Sequence, residues 1–223
     1  LKVDQTQNIP VIAVDGPSSS GKGTVASALA ARLGFHYLDS GALYRLTALS
    51  VLKAGIDPQD EARCAAAARA MEPVFKNGRI YLAGEDVTEA IRAEEVGLCA
   101  SLVAALPSVR SALTDLQRAA RRAPGLVADG RDMAAVIFPD AVLKVFLTAS
   151  PEARAKRRFN QLIANGISAN LSDLTRDLAE RDRRDRERKA APCVPAEGAK
   201  VLDNSEMDAA QTLETILRWY EER

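Results

Sequence analysis

An α/β fold is predicted for this chain: a five-stranded parallel sheet with helices on both faces and an inserted subdomain. Three observations predict it. Five short apolar runs alternate with longer stretches of helical periodicity. Those runs lack the in/out alternation of a half-exposed sheet, as strands covered on both faces do. One stretch, Val74 to Thr88, breaks the pattern with a hairpin signal. At 223 residues the chain has the length of one large domain or one domain with insertions.

The five strands are expected at Val11–Asp15, Phe35–Leu38, Leu126–Asp129, Val142–Leu147 and Lys200–Leu202. The helices between them have readable ends. Gly34 and Gly55 follow apolar-periodic stretches as C-terminal caps, and Ser150-Pro151 reads as an N-cap followed by proline at the first helical position. Ser205, with Asp208 three residues on, suggests a capping box before the final helix. Asn77-Gly78 sits between Val-Phe-Lys and Arg-Ile-Tyr-Leu, the signature of a two-residue hairpin. Its flanks, Asp60 to Met71 and Glu89 to Leu106, are Ala-rich and helical, so an insertion over roughly 60–105 is expected.

Composition narrows the function. Lys plus Arg and Asp plus Glu are both 30, so the bulk field of a general nucleic-acid or anionic-membrane binder is missing and an anion site must be local. The hydrophobic share of 47% and charged share of 27% are those of a chain with a buried core. No apolar run reaches the ~18 residues of a membrane span and the opening Leu1 to Pro10 is polar, so a cytoplasmic location with no membrane partner is expected. A monomer with no nucleic-acid partner is expected as well. Cys64, Cys99 and Cys193 are widely spaced, which fits reduced thiols rather than a disulfide framework or zinc site. The single histidine, His36, lies in an apolar stretch and reads as packed, which leaves a His-based triad no place to sit.

The strongest motif is Gly16-Pro17-Ser18-Ser19-Ser20-Gly21-Lys22-Gly23-Thr24, directly after the first strand and before a helix. It matches the phosphate-binding G-x-x-x-x-G-K in the context that motif requires. Glycines let backbone N–H groups turn inward, the helix N-terminus adds its positive end, and Lys22 reaches the outer phosphates. Gly23 stands where the general motif has the Mg²⁺-binding hydroxyl, which moves to Thr24, so no protein ligand for a metal is assigned. Mg²⁺ is expected to arrive with a nucleoside triphosphate, held through phosphates and water. A guanine-reading N-K-x-D is absent from the sequence.

Two more strand ends carry polar groups. Asp39, Ser40 and Arg45 follow the second strand, and Asp129, Arg131 and Asp132 follow the third. Loops at this edge of an open α/β sheet are where ligands bind. The run 180–189, ERDRRDRERK, holds six basic and four acidic residues. On a helix Arg181, Asp185 and Arg188 share a face while Arg183 and Arg186 point elsewhere. Two guanidiniums around one carboxylate suit a phosphate beside a sugar hydroxyl, although a solvated, ion-paired face accounts for the run as well. Arg154, Lys156, Arg157 and Arg158, followed by Asn165-Gly166, suggest a short basic flap over transferring phosphates.

The ordered set GPSSSGKGT, YLDSGALYR, ASLVAALPSVR, ADGRDM and ERDRRDRERKAAPCVPA resembles the bacterial cytidylate kinases, over essentially residues 9 to 220. The G-K-G-T ending is the form shared by nucleoside monophosphate kinases. The resemblance implies a P-loop kinase core in three parts (9–59, 106–154 and 171–223), a monophosphate-binding insert at 60–105 and a lid at 155–170. It also implies transfer of the terminal phosphoryl of ATP to CMP or dCMP. Lys22 and the amides of residues 16–24 would hold ATP, and Ser40, Arg45, Arg131 and Arg188 would surround the CMP phosphate. Ser101, Arg110 and Asp132 would read cytosine, Arg181 and Asp185 would meet the ribose, and Arg157 and Arg158 would belong to the lid.

The chemistry is consistent with that assignment. Cytosine presents an exocyclic amine donor beside ring acceptors, so Asp132 can accept from the amine while Arg110 donates. Phosphoryl transfer needs positioned cations, not a protein nucleophile. Two alternatives remain at this level: a P-loop kinase acting on another small molecule, and an RNA- or protein-binding module with ATP as structural ligand and ERDRRDRERK as contact surface. The zero net charge of the chain and the interleaved signs of that run count against RNA.

Overall fold

Four of the five residues of the first apolar run are Val, Ile or Ala, and β1 (Val11–Asp15) occupies the centre of the main sheet. The structure is a computed structural model and describes residues 9–76, 78–164 and 166–223. Asn77 and Asn165, on which the expected turns partly rest, lie outside the described residues.

The other strands of the main sheet are β2 (His36–Asp39), β6 (Leu126–Gly130), β7 (Leu143–Thr148) and β8 (Lys200–Asp203). Their spatial order is β2-β6-β1-β7-β8, and β1 runs parallel to both β6 and β7, as β7 does to β8. Ile12 and Val14 face a core shared with Val127, Val145 and Leu147. That core is closed by Val25, Ala26 and Leu29 of α1 (Lys22–Leu33) and by Ile216 and Leu217 of α8 (Ala209–Glu221). Val11 and Ala13 point to the opposite face and are also 0% exposed, so both faces of the central strand are covered. The expected lack of alternation holds for β1 and β6 and fails at the edges: most residues of β2 and β8 are exposed or half-buried, because an edge strand has a neighbour on one side only.

The chain forms two compact units: one runs to Leu38 and resumes over Ala119–Arg223, and the other is Asp39–Arg118. The second contains α2 (Ser40–Lys53), α3 (Glu61–Arg69), a 3-10 turn (Ala90–Arg92), α4 (Glu94–Val103) and α5 (Pro107–Arg118). It also holds a small antiparallel sheet of β3 (Pro73–Lys76), β4 (Arg79–Leu82) and β5 (Glu85–Asp86). Lys76 pairs with Arg79, and Gly78 takes a φ of 73° that a side chain would disfavour. The segment expected as an insertion lies inside this unit.

Gly34 and Gly55 end α1 and α2 in left-handed conformations, and the Ser150 hydroxyl accepts from Ala153 N ahead of α6 (Pro151–Ala164). The final cap differs from expectation. Asp208 caps α8 with Gln211 as its reciprocal partner, because the Ser205 hydroxyl is already committed to Asp203 and to Ser150 N. His36 makes a ring-nitrogen hydrogen bond with the Ala123 carbonyl, and the cysteines are buried free thiols. Among the described residues no single helix is long and apolar enough to cross a membrane.

Candidate active site

The loop from Gly16 to Gly21 joins β1 to α1 with positive φ at Gly16 (155°), Ser19 (60°) and Gly21 (85°). A Cβ on Gly16 would lie 2.1 Å from the Leu147 carbonyl oxygen, so only glycine fits the start of the loop. The carbonyls of the loop accept from side chains. Lys22 Nζ donates to Pro17 O (3.1 Å), Arg154 Nη1 to Ser18 O (3.1 Å), and Arg157 Nη1 and Asn204 Nδ2 to Ser20 O (3.3 and 3.0 Å). With the carbonyls of Pro17, Ser18 and Ser20 taken by these donors, the loop amides remain for an anion, as in a backbone nest. The buried Ser20 Oγ has no hydrogen-bond partner within the protein, an unmet polar group beside that nest. Gly23 lies beside Asp129 and Tyr37, whose hydroxyl donates to Asp129 Oδ2.

β6 delivers Arg131 and Asp132 next to this loop, and a π-helical turn (Met133–Ile137) follows them. Arg131 donates Nη2 to Ser18 Oγ and Nε to Asp185 Oδ2, both at 2.8 Å. Burial works to lower the guanidinium's pKa, but the Asp185 carboxylate prevails and raises it above the ordinary arginine value. Burial likewise works to raise the pKa of Asp185, and Arg131, Arg181 and Arg188 hold it below the usual carboxylate range. Both groups are therefore charged at neutral pH.

Asp185 and Arg181 lie on α7 (Leu171–Glu187). Arg188 does not continue the helical face as expected. It follows the last helical residue with extended backbone (φ −60°, ψ 137°), and its side chain turns back, with Nε 2.6 Å from Ala191 O and Nη1 4.0 Å from Asp185. Arg183 is exposed and paired with Glu180 and Glu187, so that side of α7 is the solvated, ion-paired face. The expected basic flap divides similarly. Arg154 is buried and paired with Asp182 at 2.6 Å, Arg157 donates to Asn204 Oδ1 and O, and Arg158 donates to Gln161.

In the Asp39–Arg118 unit, Asp39 caps α2 by accepting from Ala42 N at 3.0 Å, and Ser40 is the first residue of that helix and is buried. Arg45 Nη1 donates to Ile91 O at 2.7 Å. Its guanidinium passes over Gly97 of α4, where a Cβ would come within 3.1 Å of Nη2. Ser101, one turn further along α4, is buried with Oγ unpartnered. Arg110 of α5 donates to Ala104 O and lies 5.7 Å from the ring centroid of Tyr44.

Sequence reasoning missed Asp15, Asp182, Asn204, Gly97 and Tyr44. Asp182 was visible only as one more charge in ERDRRDRERK, and Asn204 carries no local signal at all.

A model of the cytidylate kinase family matches residues 12–222. The chain is 60% identical over 213 residues to a cytidylate kinase of Polynucleobacter asymbioticus, covering 96% of this chain and 97% of that one. It is 58% identical over 212 residues to a cytidylate kinase of Cupriavidus necator, with 95% and 96% covered. A cytidylate kinase of Bordetella pertussis is 56% identical over 211 residues, with 95% of each covered. Among solved structures, an uncharacterized protein from Eubacterium ventriosum aligns over 96% of this chain and 99% of its own with a TM-score of 0.51 at 12% identity, a likeness of fold alone. A family match over nearly the whole length, joined to relatives this similar from end to end, means that the chain belongs to the cytidylate kinase family.

Proposed function

We propose that this chain moves the terminal phosphoryl group of ATP to CMP or dCMP, and that the residues assembled at the ends of β1 and β6 carry the transfer. The observation that carries the reading is the loop at residues 16–24. Arg154, Arg157 and Asn204 hold its carbonyls at Ser18 and Ser20, which leaves the backbone amides for the ATP phosphates, and Lys22, which rests on Pro17 O, exchanges that carbonyl for a phosphate oxygen.

In the unit carrying the main sheet, Arg131 and Arg188 take the CMP phosphate, Asp132 accepts from the cytosine amine, and Arg181 and Asp185 meet the ribose. In the other unit, Ser40 and Arg45 serve the phosphate and Ser101 and Arg110 the base. The buried, unpartnered Ser101 Oγ supports a ligand there, since such a hydroxyl otherwise goes unsatisfied. Arg157 and Arg158 sit on the lid helix α6, and Arg157 also braces the loop through Ser20. No side chain is assigned as nucleophile: an oxygen of the CMP phosphate attacks, ADP leaves, and Lys22 and the arginines stabilise the charge that develops.

Among the described residues no cluster of three His, Cys, Asp or Glu side chains could hold a metal ion. Mg²⁺ would be carried in on the ATP phosphates and completed by water, and the buried Ser20 Oγ, which has no hydrogen-bond partner, and the buried Asp129 carboxylate are the polar groups at the loop that could meet its water shell. When bound, the ion neutralises phosphate charge. No protein partner is needed for this chemistry.

The test is a coupled assay of the purified chain with ATP and each common nucleoside monophosphate. CMP and dCMP are expected to give ADP and the corresponding diphosphate. Comparable or faster turnover of AMP or UMP would overturn the substrate assignment.

A further inference from the structure

Asp15 closes β1 immediately before the phosphate loop and is 3% exposed. Its two carboxylate oxygens each accept one hydrogen bond, from Met133 N and Ala134 N, both at 2.8 Å. Those amides open the π-helical turn that follows Arg131 and Asp132, and the first amides of any helical turn lack partners inside it. The side chain that usually accepts from such amides belongs to the residue in front of the turn. Here that residue is Asp132, which makes no capping bond with its side chain. A buried aspartate from another strand, more than a hundred positions away in sequence, does the work instead.

The arrangement is costly. Burial raises the Asp15 pKa to about 6 even though two backbone N–H groups lower it, with Asp132 adding repulsion and Arg131 opposing it. A self-capping Asp132 would satisfy Ala134 N with no buried charge on β1, but it would leave Met133 N unmet and fold its carboxylate back on its own backbone. We infer that Asp15 is a positioning residue: by capping the turn after β6, it keeps the Asp132 carboxylate turned away from that cap and sets Arg131 beside it, and so supports recognition of cytosine and its phosphate. This rests on the reading of Asp132 and Arg131 given under Proposed function.

The isosteric variant Asp15→Asn retains one acceptor and sets an amide N–H₂ against the second backbone N–H. KM for CMP is expected to rise roughly ten-fold, the scale of one hydrogen bond to a charged group. The preference for CMP over UMP is expected to shrink by a similar factor, with KM for ATP within about two-fold of the parent. Asp15→Ser, a smaller neutral acceptor, is the second variant and is expected to act in the same direction. Unchanged KM for CMP and unchanged base preference would overturn the inference, as would equal rises in both KM values, which mark general damage. If neither variant folds, the carboxylate is a folding determinant only and the inference is wrong. Asp132→Ala separates the two levels. If it erodes base preference while Asp15→Asn does not, the positioning role alone fails. If Asp132→Ala leaves base preference intact, the site reading fails and takes this inference with it.

Discussion

Asp182→Asn is expected to be among the most damaging conservative changes in the molecule. The Arg154–Asp182 pair has a 2.6 Å N–O separation, and the two side chains are only 5% and 8% exposed. Arg154 also donates to Ala149 O and Ser18 O, both at 3.1 Å, so its guanidinium cannot swing out to water without releasing α6 and the phosphate loop together. Removing the carboxylate leaves a buried cation facing neutral acceptors, a change that costs about 3–5 kcal/mol when one partner of a buried pair is deleted. The two carbonyls place this case toward the lower end. At about 2–4 °C per kcal/mol for a chain of this size, the midpoint of thermal unfolding should fall by roughly 10 °C. Urea unfolding gives the same quantity as a shift in midpoint at constant slope. The double variant Arg154→Met with Asp182→Leu removes both charges and is expected to regain most of the loss. Ser18 O loses its donor in that variant, so KM for ATP should remain raised while stability recovers. A loss below about 1 kcal/mol for Asp182→Asn, or a double variant as unstable as the single one, would refute the reasoning.

Three further outcomes are expected. Lys22→Ala should lower kcat by about 10²–10³, the scale for one preorganised electrostatic donor, and near-normal turnover in a steady-state assay would mean the loop is misassigned. Gly16→Ala places a Cβ 2.1 Å from Leu147 O at a φ of 155°, so a loss of more than about 4 kcal/mol is expected in a melt, and an unchanged midpoint would contradict the close approach of β7. The raised pKa of Asp15, about 6 against an ordinary 3.8, means that between those values the folded state binds more protons than the unfolded one. This group's contribution therefore falls as pH rises from about 4 to about 6, by about 3 kcal/mol in all. The stability difference between the parent and Asp15→Asn, followed by denaturant unfolding across that range, should show the slope, and a difference that rises or stays flat would disprove it.

How much could be read without coordinates varied with the range of the interaction. β1 and the phosphate loop were legible because apolar continuity, glycine and lysine act within a few residues of one another. The Ser150-Pro151 start of α6 and the register of the hairpin at Lys76 and Arg79 were legible for the same reason. The cap of α8 was misjudged by three residues, because whether Ser205 was available depended on Ser150, which lies 55 positions away. Arg188 was misplaced because periodicity says which residues share a helical face and not where the helix stops.

What the sequence determined by itself was the chemistry on offer: a phosphate-binding loop between strand and helix, carboxylates and guanidiniums at strand ends, and a family pattern ordered along the chain. What only the tertiary structure decided was the division of labour among like charges. Arg154 and Asp182 are buried as a brace behind the loop, Arg183 is left in solvent, and Asp15 caps a turn that Asp132 leaves uncapped. Identical guanidiniums and carboxylates are indistinguishable in a sequence, and their roles follow from burial and partner geometry, which arise only when distant segments meet.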